Sequence, residues 1–332
     1  MGAMEQVEPV FFSIVIPTRN RVSLFEQALQ SVLAQDCPSR EVLVVNDGST
    51  DDVLAEYKAL ESRYPDVGFH YLVHRPNGHG QSYSMNYGAG KARGRYLCFL
   101  DDDDYWTDTG HLSRARASLE GAAGAVDAYY TNQDAYFSSG DRASDNPWLG
   151  DLNGRLADRA ADPQGACQVE AEFLLGSRGF AHLNCSIYRR EFYLDMGGMD
   201  ENIRYECDRD IYLRAIDRAR AMLFNPVVVS YHRIPDVQRG SNMSTAITDY
   251  QKRLYQLAVY EKGILLSRQI SVRKHCLRGK GYQLKHVAEA LIAEGRLKLA
   301  ASYAREGLAV LPTTGWALKT LALSLRAWVA GK

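Results

Sequence analysis

The chain has 332 residues, 46% of them hydrophobic and 24% charged, with a formal net charge of −1. This is ordinary globular composition, enough for one large domain or two smaller ones, and it lacks the basic footprint of a nucleic-acid binder. Six scattered cysteines without a CxxC pair fit reduced thiols rather than a disulfide frame or zinc site; no apolar run reaches membrane-span length and no signal-peptide pattern opens the chain, so a cytoplasmic location is expected.

Residues 11–130 alternate strand and helix. Phe12-Ser13-Ile14-Val15-Ile16 reads as a strand ending at Pro17, and Ser23 to Gln35 carries apolar residues at helical spacing (Leu24, Phe25, Ala28, Leu29, Val32, Leu33). Glu41-Val42-Leu43-Val44-Val45 is a second buried strand that stops at Asn46-Asp47-Gly48-Ser49. A helix from Asp51 to Tyr64 follows, then a third strand at Phe69–Val73 and a glycine-rich turn, Asn77-Gly78-His79-Gly80, opening a helix through Ala92. The fourth strand, Tyr96-Leu97-Cys98-Phe99-Leu100, delivers four consecutive aspartates, Asp101 to Asp104. Such alternation predicts a parallel sheet with helices on both faces.

Between residues 138 and 168 turn signals (Ser138-Ser139-Gly140-Asp141, Asn146-Pro147, Asp162-Pro163) replace periodicity, as expected of a functional loop. A strand at Val227–Tyr231 closes this region. From about Ile247 the chain reads as helices only, with a hairpin broken at Gly295 and a last amphipathic helix from Trp316 to Val329.

In a parallel sheet the segments after strands one, two and four share one edge, where open α/β sheets bind ligands. Four adjacent carboxylates repel unless a cation neutralises them. A hard divalent metal bridging to phosphate is the natural candidate, and a solvated acidic turn the competing one. There is no GxxxxGK[ST] P-loop and no GxGxxG after the first strand.

Taken together, Ser13-Ile14-Val15-Ile16-Pro17-Thr18-Arg19-Asn20-Arg21, Val44-Val45-Asn46-Asp47-Gly48-Ser49-Thr50-Asp51, Asn86, Gly94 through Asp104 and Gly197-Gly198-Met199-Asp200-Glu201 resemble the GT-A fold glycosyltransferases of family 2, over roughly residues 12–245. The resemblance implies an α/β, Rossmann-like fold with a mostly parallel central sheet flanked by helices. It implies a catalytic domain at 10–245, with a nucleotide-binding half at 12–130 and an acceptor and base half at 131–245. Residues 246–332 form a C-terminal helical extension. Pro17, Thr18, Arg19, Arg21, Asp47 (against the base), Asn86, Asp101 and Asp102 are expected around the nucleotide sugar. Asp103 is expected to ligate Mg²⁺ or Mn²⁺, with Asp101 and His232 as further candidates. In Tyr205-Glu206-Cys207-Asp208-Arg209-Asp210, the family's Glu-Asp-x-Asp pattern maps the general base onto Asp208. Cys207 stands where the Glu usually is, which leaves open whether Glu206 substitutes. Asp210 and Arg214 read as an i,i+4 structural pair. His79 and His182 are candidates to face the acceptor.

The reaction implied is inverting transfer of a hexosyl or N-acetylhexosaminyl group from a nucleotide-diphosphate sugar, UDP foremost, to a hydroxyl. The acceptor class is a glycan, glycolipid or other hydroxyl in cell-surface polysaccharide or glycolipid synthesis. Peripheral contact with the inner membrane face and a homodimer through the C-terminal helices are options for the extension. Two readings compete: a nucleotidyltransferase, whose Gly- and Lys-rich loop after strand one is missing here, and a degenerate sugar-binding or scaffold protein.

Overall fold

The computed structural model describes residues 9–143, 148–234 and 247–329. The chain falls into two compact units, residues 1–236 and 237–332. The expected boundary at 245/246 and the turn signal Asn146-Pro147 lie outside the described residues.

Among the described residues of the first unit, nine strands make one sheet: β1 (Phe12–Thr18), β2 (Arg40–Asn46), β3 (Gly68–Tyr71), β4 (Tyr96–Phe99), β5 (Tyr105–Trp106), β6 (Ala128–Tyr136), β7 (Cys167–Val169), β8 (Ser186–Arg189) and β9 (Met222–Arg233). The order is β3-β2-β1-β4-β8-β6-β9-β5, with β7 on β9. The first four strands are parallel, and Ile14 of β1 lies between Val42 of β2 and Cys98 of β4. Strands buried on both faces need continuous apolar runs, which is why these segments do not alternate. Beyond β4 the pairing is mixed: β8 is antiparallel to β4 and β6, and β9 is parallel to β6.

The helices of this unit are α1 (Val22–Leu33), α2 (Asp51–Arg63), α3 (Gln81–Lys91), α4 (His111–Gly121), α5 (Ala171–Leu174), α6 (Arg190–Asp195) and α7 (Cys207–Arg218). The buried face of α1 (Phe25, Ala28, Leu29, Val32) joins Ile14, Ile16, Val44 and Tyr57 in the main core. Helix α3 sits close on the sheet because Gly88 has no side chain; a Cβ there would stand 2.4 Å from a Val15 methyl.

Two features of this topology place the site. The chain runs from β1 outward through β2 and β3, then returns to β4 on the other side of β1. The carboxyl ends of β1 and β4 therefore flank the switch point, where a crevice opens. Strand β9 pairs with the two residues of β5 directly after the aspartates, Tyr105 opposite Tyr231, which brings His232 beside Asp104. The irregular stretch is partly packed: Trp148, Leu149 and Leu152 are buried around a 3-10 turn at Gly150–Arg155.

His111, the first residue of α4, is buried with its ring edge-on to Trp106 at 5.0 Å. Burial drives its pKa down from 6.5 to about 3. The folded chain thus keeps it neutral while the unfolded chain takes up a proton below about 6.5, so this residue makes stability rise with pH between those values. Acidification from pH 6.5 to 5 should cost the native chain about 2 kcal/mol more than it costs His111→Phe, as read by urea unfolding. Parallel pH curves for the two proteins would contradict this.

The second unit contains α8 (Asp249–Leu266), α9 (Ile270–Ala293), α10 (Leu297–Val310) and α11 (Thr314–Val329). Thr248 and Gln251 form a reciprocal capping box at the start of α8. Small residues (Ala288, Ala300, Ala301, Ala304) let α9 and α10 pack closely, and the Trp316 indole of α11 donates to the Ala304 carbonyl at 3.0 Å. Leu318, Leu321, Leu325 and Trp328 form the exposed opposite face of α11. Among the described residues no helix is long and apolar enough to cross a membrane.

Candidate active site

Three groups of polar residues gather at the carboxyl edge of β1, β2 and β4. In the first, the Asp47 carboxylate accepts the backbone N–H groups of His79 (2.8 Å) and Gly80 (2.9 Å) and contacts His79 Nδ1 at 2.8 Å. The turn fits because Gly78 has φ +64° and because a Cβ there would lie 2.5 Å from Asp47 Oδ2. Arg19 reaches the same turn, donating to the carbonyls of Arg75 (2.7 Å) and Pro76 (3.0 Å).

In the second group, Thr18, one residue beyond Pro17 on β1, donates its hydroxyl to Asp102 at 2.8 Å. The Arg21 guanidinium bridges Asp102 (3.2 Å) and Asp103 (3.0 Å). Burial, followed by the Asp103 charge, pushes the Asp102 carboxyl up to about 7 in spite of Arg21 and Thr18.

The third group is the densest. One carboxylate oxygen each of Asp101 and Asp104 and a ring nitrogen of His182 lie within 4.8 Å of one another. His182 Nε2 is 3.0 Å from Asp208 and 3.7 Å from Asp101. Asp104 is 1% exposed and accepts from Asn184 Nδ2 (2.6 Å) and the Arg233 amide (2.7 Å), with His232 Nδ1 at 2.8 Å. Trp148 closes the group, its ring edge-on to His182 (5.1 Å) and His232 (5.3 Å). Gln81, at the start of α3, donates to Asp101 at 2.6 Å.

The electrostatics separate these carboxylates. Burial pushes Asp101 well above its ordinary value; His182 offsets part of this, while Asp208, Asp104 and Asp103 add to it. Burial also opposes ionisation of Asp104, but His232, His182 and the Arg233 amide outweigh it and hold the group low. Asp208 behaves alike: burial works upward, and His182 with Cys207 brings the carboxyl below its ordinary value. Burial alone would raise this carboxyl; the adjacent imidazole reverses that direction. The His182 pKa rises to about 9, because Asp208, Asp101 and Asp104 overcome its burial. The Asn184 backbone N–H approaches His182 Nδ1 at 3.3 Å, which turns Nε2 toward Asp208.

Several expected residues stand elsewhere or do other work. Asn86 is taken up bracing the 197–201 turn: it donates to the Met199 carbonyl and Glu201 (both 2.9 Å) and accepts from the Met199 amide and the Tyr193 hydroxyl (both 2.8 Å). Asp103 lies with Arg21, and the Asp101, Asp104 and His182 cluster does not include it. His232 joins that group through Asp104. Glu206 is left-handed (φ 65°) and pairs with Arg209. Asp210 and Arg214 form an ion pair at 2.7 Å. Trp106 is core, its indole donating to the Asn184 carbonyl at 2.9 Å. The sequence did not single out Asn184 at all, and His182 only as a residue facing the acceptor.

The donor set suits a hard divalent cation. It offers buried carboxylate oxygens and, once His182 gives up its proton, an imidazole nitrogen, and Asp101 in particular is a carboxyl crowded by like charges that a cation would relieve.

Solved structures share this fold. In S. aureus TarS, crystallised as residues 1–349 with UDP-GlcNAc, the same architecture covers 91% of this chain and 82% of that one, with a TM-score of 0.63 at 19% identity. A mannosyltransferase of Pyrobaculum calidifontis, solved with GDP-Man and Mn²⁺, covers 98% of this chain and 88% of its own, with a TM-score of 0.57 at 18% identity. Both share the GT-A fold. A PGL/p-HBAD biosynthesis glycosyltransferase of Mycobacterium tuberculosis is 34% identical over 108 residues, 32% of this chain and 41% of that protein. An uncharacterized glycosyltransferase of Escherichia coli, YibD, is 35% identical over 92 residues, 28% of this chain and 26% of that protein. The matched region thus spans less than half the length of these curated relatives. The model of glycosyl transferase family 2 matches residues 13–195, more than half of the chain, from the second residue of β1 through β8, and the chain belongs to that family.

Proposed function

We propose that this glycosyltransferase moves a sugar, with inversion, from a nucleoside-diphosphate sugar to an acceptor hydroxyl, with Asp208 as general base. The observation that carries this reading is the convergence on one imidazole: His182 Nε2 stands 3.0 Å from Asp208 and 3.7 Å from Asp101. The base of the second half and the acidic strand end of the first are thereby parts of one buried site. UDP-GlcNAc and GDP-Man in the neighbouring structures support a nucleotide sugar as donor. The relative named for PGL/p-HBAD biosynthesis supports a glycolipid or polysaccharide acceptor.

Asp208 accepts the acceptor's hydroxyl proton as its oxygen attacks the anomeric carbon. The bond from that carbon to the diphosphate oxygen breaks, and the electron pair leaves with the nucleoside diphosphate. Held ionised by His182, Asp208 is ready to accept a proton at neutral pH. The helix N-terminus favours its charge as well. Thr18 and Arg21 keep Asp102 and Asp103 in place beside the switch-point crevice, and Asp47 orders the 78–80 turn on the nucleotide side. Asp101, Asp104 and His182, with Asp103 and His232 adjoining, would hold a divalent cation, Mg²⁺ or Mn²⁺. Such a cation, when bound, supplies charge stabilisation to the departing diphosphate.

With Asp208 as the one base, the displacement is a single step without a covalent intermediate. The test is the anomeric configuration of the product by NMR with an α-linked donor. A β-linked product is expected; an α-linked product would rule out the one-base reading.

A further inference from the structure

Asn184 sits on the short turn Leu183–Cys185 that leads into β8 and is 1% exposed. Its side-chain oxygen accepts the Asp101 backbone N–H at 3.0 Å. Its nitrogen donates to Asp104 at 2.6 Å and to Gln133 of β6 at 3.3 Å. Its own carbonyl accepts the Trp106 indole N–H, which fixes the turn against the core. One side-chain amide therefore ties the first and last of four consecutive aspartates to the turn that leads into β8. The turn's own backbone bond, Asp104 N–H to the Asp101 carbonyl, is 3.2 Å long. Carboxylates that repel one another need such an external tie to stay converged.

We propose that Asn184 is a positioning residue that holds the Asp101–Asp104 turn in the arrangement able to take a divalent cation. This rests on the cation reading given above. Groups that orient metal ligands from behind typically change affinity by about 10- to 100-fold when removed.

The test is calorimetric titration of Mn²⁺ alone into the full chain. Asn184→Ala should weaken Mn²⁺ by about tenfold or more. Asn184→Ser, which keeps a short polar group, should fall between it and the native chain, and it decides the matter if the alanine variant does not fold. Asn132→Ala is the control. Asn132 is equally buried on β6 but donates to Asn153 and the Pro226 carbonyl, so its loss should leave Mn²⁺ affinity within about twofold. In turnover, the Asn184 defect should appear in the KM for Mn²⁺ before it appears in kcat. Equal Mn²⁺ affinity in the native chain and the Asn184 variants would overturn the inference and leave the cation reading standing. An equal loss in Asn132→Ala would overturn it as general loosening. A native chain that binds no Mn²⁺ would overturn both.

Discussion

Asp208→Asn is expected to lower turnover by about 10³-fold while donor affinity stays within about threefold. The amide is the same size, and its oxygen still accepts from His182 Nε2, now 3.0 Å away, so the site keeps its shape. It cannot take the acceptor's proton. The two halves of the result separate a base from a donor-binding residue: kcat falls while a nucleotide-sugar titration is unmoved. The pH profile gives a second check. His182 and Cys207 hold Asp208 below its ordinary value despite burial. Its ionised form therefore persists below the ordinary aspartate range and is lost only as pH falls through the lowered pKa. The native enzyme should accordingly show no loss of activity near pH 6 that traces to Asp208. Unchanged turnover in the variant would remove Asp208 from the mechanism.

Asp104→Asn should destabilise the first unit by roughly 3 kcal/mol, whereas Asp103→Asn should change it by less than about 1 kcal/mol. The two residues are neighbours of identical chemistry, and their surroundings differ. Asp104 is 1% exposed, and its oxygens meet the Asn184 amide, the Arg233 backbone N–H and the His232 ring. An asparagine would lose the charge-assisted bonds and turn an N–H₂ toward one of those donors. Asp103 shares Arg21 with Asp102, so its neutralisation leaves Arg21 a carboxylate and relieves repulsion within the turn. Denaturant unfolding of the two variants reads the difference directly. Equal losses would mean that the acidic turn is one electrostatic unit without a buried anchor.

The parts of this arrangement that were legible in the sequence are those written contiguously. Buried parallel strands announce themselves as apolar runs, so β1, β2 and β4 could be read, and with them the shared edge that carries Thr18, Asp47 and Asp101. The aspartate run could be read as a cluster, but not the division of labour inside it. Which carboxylate is buried depends on β9 arriving beside β5, a pairing between Tyr105 and Tyr231 that no local pattern encodes. His182 and Asn184 were obscure for the same reason. They reach the site because β8 runs antiparallel to β4, and single polar residues before a short strand carry no periodic signal. Asn86 illustrates the reverse. Its place in a recognisable motif suggested the nucleotide, while its amide is spent on the 197–201 turn. The direction of the Asp208 pKa was hidden for the same reason: burial raises a carboxyl, and the imidazole opposite carries no local signal.

We propose that the acidic end of β4 and Asp208 form one cation-dependent site for breaking a nucleotide-sugar bond. This is tested most directly by nucleoside-diphosphate release from a panel of UDP-, GDP- and dTDP-sugars with Mn²⁺ or Mg²⁺, repeated in excess chelator. Release from one donor class that stops on chelation and resumes when the cation is restored is expected. Undiminished release in excess chelator would contradict it.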